Sequence, residues 1–153
     1  MSLSGKLIVW MSTLSLVASL TGCRKDENTG PSNIFTAVVE GEDFAADEIE
    51  GYLNLDEDVE IFAYTENVEK GFILYFDSEK VQQGSDYDLD GTGNMFIQYF
   101  DENDYSTSAG QIHVTKFTGL EFEATFEFDC EGVSGETIEI REGIIKVTLE
   151  QEG

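Results

Sequence analysis

The chain has 153 residues, with 8 Lys+Arg against 32 Asp+Glu, one proline, one histidine and a formal charge of −24. That length suits a single domain, and a charge this negative excludes nucleic acid and anionic headgroups as partners, since both recruit Lys and Arg. With 41% hydrophobic residues, eleven Phe and six Tyr, the chain still carries enough apolar surface to fold.

Lys6 precedes the apolar run from Leu7 to Leu20, the make-up of an export signal and too short to span a bilayer comfortably. The run ends at Leu20-Thr21-Gly22-Cys23, which looks like the lipobox of bacterial lipoproteins, where small residues expose the bond before an acylated cysteine. The expectation is a lipoprotein signal peptide over residues 1–22 and a lipid anchor at Cys23, whose two or three acyl chains suffice for stable membrane attachment. Cleavage there removes Lys6 and Trp10, the only tryptophan, and leaves seven basic against 32 acidic residues, a net −25.

Residues 23–33, the lipidated cysteine and a polar stretch without apolar period, read as a flexible tether. Lys25-Asp26-Glu27 resembles the short acidic tag of lipoproteins sent to the outer face of the outer membrane. Arg24 stands where an inner-membrane retention signal would have Asp. The expected location is the outer membrane, facing either the cell surface or the periplasm.

Residues 34–153 read as strands: 34–39, 44–46, 52–55, 59–65, 71–76, 95–100, 111–115, 120–129, 137–141 and 145–149. Leu120 to Asp129 alternates apolar and polar without an error, as a strand with one buried and one wet face does. Residues 137–141 and 145–149 alternate too, and Glu142-Gly143 between them reads as the turn of a closing hairpin. The segments 72–76 and 95–100 are apolar on both faces, so they predict central strands covered twice, or a second face lining a groove. About eight to ten short strands with Gly and Asn/Asp turns predict an all-β, antiparallel meander folded as a sandwich or an open barrel.

Phe35-x-Ala37-x-Val39-x-Gly41, Phe44-x-Ala46, Gly110-x-Ile112-x-Val114-Thr115, Phe126-x-Phe128 and Glu142-Gly143-x-Ile145 together resemble the pattern of a family of small Gram-negative lipoproteins of unknown function. The resemblance covers residues 34 to 150 and implies an all-β lipoprotein domain. It implies no catalytic or ligand residues.

Three chemical features stand out. Asp86-Tyr87-Asp88-Leu89-Asp90-Gly91-Thr92-Gly93-Asn94 matches the front of a calcium loop, with Asp86, Asp88, Asp90 and Asn94 as oxygen ligands and a glycine at the sharp turn. The bidentate Glu of a complete EF-hand is replaced by Ile97, so calcium competes with a solvated acidic turn in which Tyr87 and Leu89 pack inward. His113 alternates with Ile112 and Val114, which puts it on a wet strand face with no sequence neighbour to orient it as a catalytic base. Cys130, the one thiol left after lipidation, sits between Asp129 and Glu131, which raise its pKa, and reads as buried and inert.

The function expected is therefore that of an outer-membrane or cell-surface lipoprotein acting as a non-enzymatic binding module, with no catalytic residues assigned. Phe62, Tyr64, Ile73 and Tyr75 are its apolar candidates. The alternative is a glycan-binding accessory lipoprotein using Tyr52, Tyr99 and Tyr105, calcium-stabilised or not. A small carboxylate-dependent hydrolase stands third.

Overall fold

The computed structural model describes residues 33–90 and 93–151. The signal segment, Cys23 and the tether as far as Ser32 lie outside the described residues. What is described is almost wholly β: β1 Ile34–Val39, β2 Glu42–Ala45, β3 Glu48–Leu53, β4 Asp58–Tyr64, β5 Gly71–Asp77, β6 Asp86–Asp88, β7 Met95–Phe100, β8 Asp104–Phe117, β9 Glu121–Gly132, β10 Thr137–Thr148 and β11 Glu150–Gln151. A single 3₁₀ turn, Ser78–Lys80, is the only helical element among the described residues.

These strands form one sheet in the order β11-β3-β4-β5-β7-β8-β9-β10-β1-β2, with β6 added beside β8. Every pairing is antiparallel except β11 with β3, which is parallel. The sheet curls into a half-barrel, the open-barrel form of the expected meander; all described strands share one sheet, so there is no two-sheet sandwich.

The curl comes from bulges in the long strands, since an extra residue bends a strand and increases its twist. In β8 the ladder to β9 slips between Thr107 and Ala109 and again between Val114 and Lys116. Each extra residue carries a hydroxyl that answers a partner carbonyl: Ser108 donates to Asp129 O at 3.1 Å and Thr115 to Glu123 O at 3.0 Å. Each slip also changes which residues face inward. Tyr105 and Thr107 are buried before the first, Ile112 and Val114 between the two.

β10 does the same between Ile140 and Gly143, which corrects the expected closing hairpin: residues 137–148 are one bulged strand. Ile140 is buried before the bulge, Ile145 and Val147 after it. Glu142 takes φ 54, and the ring of Phe126 lies over Gly143, leaving no room for a Cβ. The Arg141 guanidinium fills the defect, donating to Phe128 O at 3.0 Å and Ile140 O at 2.9 Å while pairing with Asp129 at 2.6 Å.

Inside the curl, Phe72 on β5 is the hub. Its ring centroid lies 4.9 Å from Phe35, 5.0 Å from Phe44, 5.1 Å from Tyr99 and 6.0 Å from Phe126. β5 is thereby tied to β1, β2, β7 and β9 across the interior. The seam is joined at one end by β11 on β3. There Asn33 accepts from Thr148 N at 3.0 Å and donates to Ile49 O at 3.4 Å, and a Cβ on Gly51 would stand 2.8 Å from Val147.

Candidate functional site

Because strand side chains alternate, each inward residue of the half-barrel has an outward neighbour, and on β3, β4, β5 and β7 the outward neighbours are largely aromatic. The registers place them in rows: Tyr52, Glu60, Tyr75 and Phe96; then Glu50, Phe62, Ile73 and Gln98; then Glu48, Tyr64, Gly71 and Phe100. Tyr75 is 38% exposed, and Tyr52, Phe62, Tyr64, Phe96 and Phe100 are half-buried. Tyr52 and Phe62 sit diagonally with centroids 6.4 Å apart. A Cβ on Gly71 would come within 2.6 Å of the Phe100 ring, so Phe100 lies over the glycine, beside Tyr64.

Carboxylates are threaded through these rings. Asp58 accepts the Tyr75 hydroxyl, and that bond leads the causes that push the phenol up to about 12. Burial, with Glu50 and Glu48 nearby, raises Tyr64 as well. β3, β4, β5 and β7 contain no Lys, Arg or His. The ion pairs of the described residues lie mostly elsewhere: Lys116 with Glu121, Arg141 with Asp129 and Lys146 with Glu123 all belong to β8, β9 and β10. Lys80, after β5, holds Asp77 at 2.6 Å.

A groove of about 440 Å³ crosses the outer face of β6, β8, β9 and β10. His113 and Asp86 meet in it, Nδ1 to Oδ1 at 2.7 Å, and Gln111 donates to Asp88 at 3.2 Å. The wet-face position of His113 is as expected, but it does have an orienting partner, 27 residues away in sequence and brought beside it by the β6–β8 pairing. Glu127, Glu142, Thr125 and Ile144 complete the lining. The Asp86 side chain is 72% exposed, and Glu127 and Glu142 are exposed too, so these carboxyls lack the apolar enclosure by which a general acid is tuned.

Of the calcium-loop residues, Asp90 is exposed, and Gly91 and Thr92 lie outside the described residues. Asp86 and Asp88 are committed to His113 and Gln111 in the β6–β8 ladder, and Asn94 is exposed. Leu89 is buried, and the Tyr87 hydroxyl accepts from Gln82 N at 2.7 Å. No group of three or more His, Cys, Asp or Glu disposed to hold a metal occurs among the described residues.

The other candidates separate cleanly. Phe62, Tyr64, Ile73 and Tyr75 all lie on the aromatic outer face. Of the three glycan candidates only Tyr52 does; Tyr99 and Tyr105 are core residues, 3% and 5% exposed and stacked at 5.7 Å, because their strand parity points them inward. Phe96 and Phe100 complete the patch and carry the signal already noted, a segment apolar on both faces. Cys130 is fully buried, and desolvation lifts its thiol to about 12.

A family model described as a domain of unknown function, DUF6252, matches residues 31–147. The chain belongs to the DUF6252 family. The DUF6252 match runs from just before β1 to the end of β10, so it takes in the aromatic face and the His113 groove alike. No curated protein and no solved structure matches the chain.

Proposed function

We propose that this DUF6252 protein is a membrane-tethered, non-enzymatic binding module that engages its partner through the outer face of β3, β4, β5 and β7. One observation carries the reading: six aromatic side chains and Ile73 share that face, and among the described residues no second layer of structure covers them. Aromatic residues clustered on a rigid surface are the usual anchors of protein interfaces. The tether belongs to the same proposal. The apolar run closing on Leu20-Thr21-Gly22-Cys23 supports lipidation at Cys23 and attachment to the outer membrane, on either its surface or its periplasmic side.

Photo-crosslinking in cells tests both parts. A photoreactive residue replacing Tyr75 in the full-length protein is expected to give discrete adducts, and the same residue at Glu127, on the opposite side, is expected to give none. Cys23→Ser is expected to move the protein out of the membrane fraction. Equal labelling at both positions overturns the binding face, and retention of Cys23→Ser in the membrane overturns the anchor.

A further inference from the structure

The binding face described above has a charge pattern that selects its occupant, and we infer that the partner presents a Lys- and Arg-rich protein segment to it. The inference rests on the binding-module reading and names the chemistry of the partner.

Across β3, β4 and β5, carboxylates stand beside rings. Glu60 lies directly between Tyr52 and Tyr75, Glu50 is opposite Phe62, and Glu48 is opposite Tyr64. A guanidinium or ammonium laid on such a lattice meets an aromatic face and a carboxylate together. Rings attract cations through their quadrupole, the carboxylate supplies a charge-assisted hydrogen bond, and the apolar stem of Lys or Arg covers the ring beside it.

The face does not neutralise itself. Its four strands contain no cation, and among the described residues Glu48, Glu50 and Glu60 have no ion pair, while Lys116, Arg141 and Lys146 are matched to acids on β8, β9 and β10. Lys80 pairs with Asp77 at the end of β5, across the ladder from Asp58, and Lys70 stands at the β4–β5 turn, so the unneutralised part of the face is its middle, around Glu48, Glu50 and Glu60.

The same pattern weighs against the other occupants. A second copy docked by two-fold symmetry would set this acidic surface against itself, at a formal −24 per chain. An anionic lipid surface is repelled for the same reason. A neutral glycan could use the rings and donate its hydroxyls to the carboxylates, but it would leave their charge uncompensated, and the titration below sets it against the cationic peptide.

Calorimetric titration of the full-length protein in non-ionic detergent tests this, with a synthetic Arg/Lys-rich peptide as the probe and its citrulline-for-arginine analogue as the neutral comparison. The Arg/Lys peptide is expected to bind, more weakly as salt rises, and the citrulline peptide at least about tenfold more weakly. E50Q/E60Q and Tyr75→Ser should each weaken binding about tenfold, while E127Q/E142Q, which removes the same charge elsewhere, should change it less than about twofold. Equal weakening by the two double variants reduces the effect to net charge and overturns the inference. So does equal affinity for the citrulline peptide, or preference for a neutral oligosaccharide. If Tyr75→Ser loses its fold, as read by circular dichroism, the surface pair E50Q/E60Q decides alone. Adducts at position 75 without preference for the cationic peptide leave the binding module standing and overturn only the cationic partner.

Discussion

Tyr75 shows how one side chain serves both the fold and the surface. Its hydroxyl donates to Asp58, which holds the phenol in its neutral form and lifts its pKa from the usual value near 10 to about 12. A group whose folded pKa is raised contributes stability that is fully present below the unfolded value and is lost as pH rises through the folded one. The Tyr75–Asp58 bond should therefore act undiminished at neutral pH and fail between pH 10 and about 12. Titrating phenolate absorbance in the wild type, Asp58→Asn and Tyr75→Phe checks this: Asp58→Asn should bring one midpoint down toward 10, and Tyr75→Phe should remove the midpoint near 12 while leaving that of Tyr99, which burial also raises. His113 marks what sequence could show at this scale. Alternation put it on the wet face, but Asp86 became its partner only because β6 lies antiparallel to β8, a long-range pairing that no local pattern encodes.

At the scale of the strand, legibility follows the bulges. β9 has no bulge of its own, its inward set from Phe122 to Cys130 keeps one parity, and a period-2 reading finds it. β10 changes parity at Arg141-Glu142, so the same reading cuts it in two and puts a turn at the cut. β8 changes twice, and only its middle stretch, between the two slips, alternates visibly. Arg141 supports the β10 bulge by hydrogen-bonding the Phe128 and Ile140 carbonyls beside it, and its pairing with Asp129 raises its own pKa further. Replacing it with Met leaves those carbonyls unanswered and should cost about 1–3 kcal/mol, seen as a lower urea midpoint at unchanged m-value. Lys keeps the charge but lacks the fork that reaches two carbonyls and a carboxylate together, so it should recover only part of the loss.

For the whole molecule, the all-β class was legible because strand periodicity is local, and the lack of helical periodicity left few architectures open. The half-barrel was not, since closure depends on contacts between the ends of the chain. The joined end of the seam is one of these: Asn33, β11 and Leu149, a buried residue, hold β10 to β3. Asn33→Ala should lower stability by about 1–2 kcal/mol. Ending the chain after Thr148, which also removes Leu149, should cost about 2–5 kcal/mol. Hydrogen exchange should show the β3 amides losing protection before those of β9. Asn33 also has a mechanical consequence. It is the first described residue, at the start of β1, which is hydrogen-bonded to β10 on one side and β2 on the other. Ladder bonds run perpendicular to the strands, so tension applied at Asn33 along β1 strains both ladders in shear. The hydrogen bonds then share the load and do not open one after another. A domain pulled by its own anchor while gripping a partner would yield last at this strand.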